Sequence, residues 1–161
     1  MRPQEKEPEL NEHHKQEYAP SHTAEHLLNQ TMVRMFGCER SENAHVERKK
    51  SKISFLFPEC PSGESVEEIV CRMNELIEAD LPVSYEYTTI DHLPPTVNPK
   101  RLPQNVSRTI RLVKIGDYDC CPCIGEHVAH TAQIGKFILL GTNWDAEKHS
   151  FRIRFKTDSD Y

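Results

Sequence analysis

Residues 21–37 read SHTAEHLLNQTMVRMFG. At about 100° per residue, Ala24, Leu27, Leu28, Thr31, Met32 and Met35 gather on one broad stripe, the pattern of a helix with one face on a core. Ser21 is a residue type that caps a helix start, and Gly37 is the type that best accepts a left-handed stop, so a helix is predicted from the Ser21 cap to Phe36. His22 and His26 fall together on nearly the opposite side. A histidine that merely fills the core belongs inside the stripe, which leaves two readings: a pair of exposed surface histidines, or two imidazoles one turn apart that reach one metal ion. The spacing is not that of the zincin proteases, which need Glu directly after the first His, where this chain has Thr23. Glu25 points elsewhere on the helix.

A second helix is expected from Ser65, with Glu68 three residues on as a capping box. Val66, Ile69, Val70, Met73, Leu76 and Ile77 recur at helical spacing until Leu81-Pro82 ends the run. Strands are expected over 52–57, 83–90, 108–115, 136–140 and 150–156, all rich in β-branched or aromatic residues. In the last, Phe151, Ile153 and Phe155 alternate with Arg152, Arg154 and Lys156. Its basic face fits a solvated sheet face, a blunted edge strand or a track for an RNA backbone. Residues 91–107 hold four prolines and are expected to cross the surface as a loop. Residues 1–18 carry charges, two prolines and no apolar period, so they are expected to form a flexible polar tail, with His13 and His14 as ordinary tail residues. The folded part is then a single domain over 19–161. Two helices among several strands, without regular alternation, predict an α+β fold in which the HxxxH helix packs on a curved, mainly antiparallel sheet.

Composition narrows the function. A net charge of −5 argues against holding nucleic acid by bulk attraction to phosphate, yet leaves room for a local basic face. No apolar stretch approaches the roughly twenty residues that cross a bilayer. The six cysteines are read as reduced, cytoplasmic thiols, because no secretory leader pattern precedes them. Neither a P-loop nor a dinucleotide-binding glycine motif occurs, so no ATP site is expected.

Cys123-Ile-Gly-Glu-His127 adds a thiolate and an imidazole on a short segment with Gly125 at its bend. With His22 and His26 they complete the four nitrogen and sulfur donors that zinc prefers. A competing reading takes Cys120-Cys-Pro-Cys123 as a CxxC motif, although no second CxxC is present to complete a four-cysteine site.

Together the blocks HTAEHLLNQ (22–30), SKISF (51–55), MNELIEADLPV (73–83) and IGDYDCCPCIGEHVAHTAQIG (115–135) resemble, in order, the alanyl-tRNA editing proteins of the AlaX type. They also resemble the second additional domain shared by alanyl- and threonyl-tRNA synthetases. The resemblance implies a small α+β domain with a cleft between its first helix and its sheet, and places His22, His26, Cys123 and His127 at the metal positions. It implies zinc-dependent hydrolysis of mischarged tRNA, Ser-tRNA(Ala) first and Gly-tRNA(Ala) second, with Ser-tRNA(Thr) as the alternative. The alanyl-type motif Cys-Gly-Gly-Thr-His becomes Cys-Ile-Gly-Glu-His here, so Ile124 and Glu126 change the wall beside the substrate. Thr23, Glu25 and Glu126 are the remaining candidates to contact substrate or orient water, and Arg152, Arg154 and Lys156 to meet RNA. The rivals are a tRNA-binding module in which zinc only holds the fold, and a metal hydrolase of small esters.

Overall fold

Proline moves the start of the first helix. In the computed structural model, which describes residues 18–95, 97 and 109–161, helix α1 spans Ala19–Phe36, with Tyr18 at the N-cap and proline in the first turn. Proline has no amide hydrogen to satisfy there and its φ is already helical, so the helix begins upstream of Ser21, which is not the cap. Ser21 is buried instead, its hydroxyl 3.4 Å from Thr157 Oγ1. The C-terminus ends as the sequence predicts, on Gly37 at φ 68°, whose N–H donates to the Val33 carbonyl. The tail 1–17, with His13 and His14, and most of the loop 91–107 lie outside the described residues.

Helix α2 spans Gly63–Glu78, and its cap is Ser62, whose hydroxyl accepts from the Ser65 amide at 3.1 Å. Ser65 is therefore inside the first turn, and Glu68 pairs with Arg72 one turn on at 2.8 Å rather than closing a capping box with it. The expected apolar stripe holds: Ile69, Met73 and Ile77 are buried, and Val66, Val70 and Leu76 pack against them.

Among the described residues seven strands occur where five were expected: β1 Asn43–His45, β2 Ser51–Leu56, β3 Val83–Thr89, β4 Thr109–Ile115, β5 Asp119–Pro122, β6 Lys136–Asp145 and β7 Ser150–Asp158. The two additions, NAH and DCCP, are short and lack β-branched residues, so only pairing with a neighbour defines them. The strands form two antiparallel sheets, in the orders β1-β2-β7-β6 and β3-β4-β5, rather than one. The α+β class stands. β7 lies between β2 and β6, which overturns the edge-strand reading of its basic alternation. Phe151, Ile153 and Phe155 are buried on the inner face, while Arg152 and Lys156 are exposed on the outer one and Arg154 half-buried.

The two helices cover the inner face of the four-stranded sheet, and Phe55, Phe137, Phe151 and Phe155 pack there with Leu27, Leu28, Met32 and Met73. Asn74 stitches α2 to β6 by mimicking a strand: its side chain accepts from the Phe137 amide at 2.9 Å and donates to the Phe137 carbonyl at 3.2 Å. The other side of α1 meets the three-stranded sheet. At the β4–β5 turn, the Tyr118 carbonyl accepts from Gln30 (2.8 Å) and Arg34 (2.7 Å), and the Tyr118 hydroxyl bonds Thr31 at 2.7 Å. Helix α1 is thus sandwiched between the sheets. No described helix is long and apolar enough to cross a membrane.

Gly135, at φ 76°, leads into β6, and a Cβ there would overlap the Asp158 carbonyl of the neighbouring strand. Gly135→Ala is expected to lower unfolding free energy by about 2 kcal/mol or more, whereas Gly63→Ala, in open space at the start of α2, should raise it by several tenths. Urea denaturation of both variants checks the contrast.

Candidate metal centre

Burial of α1 on two sides overturns the surface reading of its histidines. His22 and His26 are each 4 % exposed, so they are not surface residues. They sit under the segment that follows β5, where Cys123 is half-buried and His127 buried. One donor atom from each of His22, His26, Cys123 and His127 lies within 4.8 Å of the others. Residues about a hundred positions apart in sequence thus share one point.

Hydrogen bonds fix how two of the rings present their lone pairs. His22 Nδ1 donates to the Glu126 carbonyl at 2.9 Å, which leaves Nε2 facing Cys123 Sγ at 3.2 Å. Thr23, fully buried, donates its hydroxyl hydrogen to the Ala19 carbonyl at 2.9 Å. Its oxygen must then accept from its two other neighbours, the Val128 amide at 3.2 Å and His127 Nδ1 at 3.0 Å. With its hydrogen on Nδ1, His127 carries its lone pair on Nε2, a buried atom with no partner in the protein. His26 Nδ1 is likewise buried without a hydrogen bond. A buried polar atom left unpaired costs about 1–3 kcal/mol, and a metal ion at the centre of the four donors would take up these electrons. The donor set of three imidazoles and one thiol fits a borderline-soft divalent metal.

Electrostatics keep the rings in the ligand form. Burial, with His127 and His22 nearby, holds His26 well below the ordinary histidine value. Burial pushes His127 down to about 2, helped by His22 and Arg111. Both are neutral near pH 7, the state that binds metal.

Three charged residues that the sequence reading did not single out complete the surroundings. Asp119 Oδ2 lies 3.8 Å from His26 Nδ1 and is gripped by Arg40 at 2.7 and 3.3 Å. Arg111 donates to the Cys123 carbonyl at 2.7 Å and the Gly125 carbonyl at 2.5 Å, holding the ligand loop from β4. A charged residue inside a short buried strand was the available signal for Asp119, and it was obscured because DCCP does not read as a strand.

A cavity of about 710 Å³ opens beside the cluster, lined among others by His22, Glu25, His26, Arg40, Asp119 and Cys123. Cys121 also lines it, and burial pushes its thiol up to about 12, so it stays protonated. Cys120 turns to the other face of β5 and packs with Leu93, Val97, Ile110 and Leu112. Neither joins the four-donor group. Glu126 contributes its backbone carbonyl while its side chain is exposed, and Thr23 acts on His127 rather than on the cavity. Arg152, Arg154 and Lys156 project from the outer sheet face, with the sheet and α1 between them and the cluster.

Residues 110–159 match the family described as the threonyl and alanyl tRNA synthetase second additional domain. The chain is 31 % identical to the alanine–tRNA ligase of Caldicellulosiruptor saccharolyticus over 121 residues, 74 % of this chain and 14 % of the ligase. It is 31 % identical to the alanyl-tRNA editing protein AlaX-L of Pyrococcus horikoshii over 137 residues, 83 % of this chain and 32 % of that protein. It is 27 % identical to the alanine–tRNA ligase of Treponema pallidum over 78 % of this chain and 21 % of the ligase. The chain therefore spans about a third or less of the length of these relatives.

Thr23→Val removes the acceptor that orients His127 without changing the side-chain volume much, and is expected to weaken metal binding about 10- to 100-fold in chelator competition. His26→Ala and Cys123→Ser should lose the metal, and Cys120→Ser should keep it. In the metal-free protein, unfolding releases imidazoles that take up protons the folded site refuses. Stability is therefore expected to be full above about pH 6.5, the ordinary histidine value, and to fall below it by up to about 1.4 kcal/mol per pH unit for each of His26 and His127. Thermal melts between pH 4 and 8 check the sign.

Proposed function

We propose, because this chain belongs to the family of the threonyl and alanyl tRNA synthetase second additional domain, that it hydrolyses the ester of mischarged tRNA with zinc as its metal. The observation that carries the reading is the convergence of His22, His26, Cys123 and His127 on one point, three of them on the wall of a cavity and His127 with a buried Nε2 that makes no hydrogen bond. Bound there, zinc would supply a Lewis acid for the ester carbonyl or for a water. The protein's own contribution is to aim His127 through Thr23 and His22 through the Glu126 carbonyl, to keep the buried His26 and His127 neutral, and to shape the cavity that receives the aminoacyl group. Of the two carboxylates considered for orienting water, Glu25 lines that cavity and Glu126 does not, so the role is assigned to Glu25.

The substrate proposed is Ser-tRNA(Ala), with Gly-tRNA(Ala) second. The run 115–135 is closer to the alanyl than to the threonyl pattern, and the relatives above are alanine–tRNA ligases and an alanyl-tRNA editing protein. Serine differs from alanine by one hydroxyl. A buried site built to hydrogen-bond that group discriminates by factors on the order of ten thousand, which an apolar pocket does not reach. The cavity wall carries such polar groups in the neutral Cys121 thiol and the Arg40–Asp119 pair. All six cysteines are free, in keeping with work in the reducing cytoplasm.

The reading of zinc as purely structural draws on one observation, that four protein donors, the number that closes a structural zinc site, lie within 4.8 Å of one another. Against it stands the position of His22, His26 and Cys123 on the cavity wall. The exposed Arg152 and Lys156 of β7, with Arg154, are proposed as outlying phosphate contacts that add affinity without selectivity. Their joint replacement by alanine should weaken charged and mischarged tRNA equally and flatten the salt dependence.

The deciding experiment measures hydrolysis of Ser-tRNA(Ala), Gly-tRNA(Ala), Ala-tRNA(Ala) and Ser-tRNA(Thr) by the zinc-loaded protein, with His22→Ala as control. Fast turnover of the seryl ester on tRNA(Ala), slower turnover of the glycyl ester and near-inertness of the alanyl ester are expected. Preference for Ser-tRNA(Thr) moves the chain to the threonyl branch, and tRNA binding without turnover assigns the metal a structural role.

A further inference from the structure

Tyr85 and Tyr87 lie two residues apart on β3, the outer strand of the three-stranded sheet, and are 41 % and 50 % exposed. Their register places them on one face: Tyr85 is opposite Val113 and Tyr87 opposite Arg111, and across β4 the same face continues to Cys121 and the Cys123 segment. This is the face that carries the candidate metal centre. The Tyr85 ring centroid is 6.4 Å from that of His127, and the Arg111 guanidinium sits 4.6 Å above the Tyr85 ring. Arg111 is also bonded to the Cys123 and Gly125 carbonyls, so ring, guanidinium and ligand loop form one connected surface. Glu86, the one carboxylate of β3, is on the opposite face, paired with Lys114 at 3.1 Å.

Clustered exposed apolar side chains mark a surface with an occupant, and among the described residues half of the six exposed large hydrophobics belong to β3 or to Ile90 just beyond it. We propose that Tyr85 and Tyr87 are a stacking platform for the single-stranded CCA end of tRNA, receiving the bases 5′ to the terminal adenosine. The inference rests on the deacylase reading above, which puts the scissile ester at the metal centre. A strand rises about 3.3 Å per residue, so rings at alternate positions are spaced about 6.6 Å apart, within the reach of successive nucleotides of an extended strand. Every base has a π-face, so such a platform accepts the CCA end without reading sequence, and the guanidinium adds a cation beside it. The amino acid enters the cavity on the His22, His26 and Cys123 side, and the nucleotides leave past His127 toward the rings. Tyr85 contacts the ligand loop through Arg111, whereas Tyr87 is the more exposed ring and the cleaner probe.

The test compares Tyr87→Ala, Tyr87→Trp and the wild type on two substrates, Ser-tRNA(Ala) and 3′-O-seryl-adenosine, which has no upstream bases. Tyr87→Ala is expected to lower kcat/KM on the tRNA about tenfold, mainly through KM, with the truncated ester affected less than twofold. Tyr87→Trp should restore the tRNA reaction, and Leu56→Ala, an exposed residue on the other sheet, should change neither. Equal losses on both substrates, or no loss on the tRNA, overturn the platform. Binding of a fluorescent RNA oligonucleotide ending in CCA, read by anisotropy, tests it without turnover: about tenfold weaker binding by Tyr87→Ala supports it even where the wild type cleaves nothing, and equal binding overturns it. Failure of hydrolysis in the wild type with the anisotropy difference intact would count against the deacylase reading alone.

Discussion

One hydroxyl joins the two halves of the site. Thr23 is completely buried and donates to the first turn of its own helix while it accepts from the Val128 amide and from His127. No other side chain type of that size does this. Valine lacks the donor and acceptor, and serine lacks the methyl that fills the space. Through these bonds the segment 123–128 is docked on α1, and His127 is held with its hydrogen away from the cluster. Two long-range demands, placing a loop and choosing a tautomer, are met by one atom.

The same logic extends along the helix. Ser21, His22, Thr23, His26, Asn29 and Thr31 are all buried, an unusual polar content for a helix in a small core. Burial of such groups is tolerated only where partners are supplied; β7 supplies Thr157 to Ser21, and the three-stranded sheet with its turns and the segment after it supplies Glu126 to His22, Asp119 near His26 and Tyr118 to Thr31. Asn29 is met by the Ser41 amide at 2.7 Å. What is left over is informative, since the buried Nε2 of His127, which makes no hydrogen bond, belongs to the proposed metal site. The polar face of α1 is thus an interface to the second sheet, and the unsatisfied part of it is where chemistry is expected.

Burial also sets the charge of the centre. Desolvation drives the His26 and His127 imidazoles toward the neutral form and the Cys121 thiol likewise, while Asp119, raised by burial, is countered by Arg40. The cavity wall therefore sets the neutral His26 beside the Arg40–Asp119 pair and further charged side chains, Glu25, Arg34, Glu39, Lys114 and Asp117.

The repeating patterns were legible in the sequence: the apolar stripes of α1 and α2, the glycine stop at Gly37, five of the seven strands, and the two motifs that supply His22, His26, Cys123 and His127. Periodicity and spacing report these because they are local, set by the geometry of a helix or a strand. The caps were misplaced at Ser21 and Ser65 because Pro20 fits the first turn and moves the start of α1 upstream to a Tyr18 cap, and because Ser62 caps α2 three residues before Ser65. The strands NAH and DCCP, the division into two sheets and the interior position of β7 depend on hydrogen bonds between distant segments. So do the roles of Thr23, Asp119, Arg40 and Arg111. A hydroxyl or a carboxylate has no preferred partner along the chain, and only the packing of α1 between the two sheets decides which distant atom it meets.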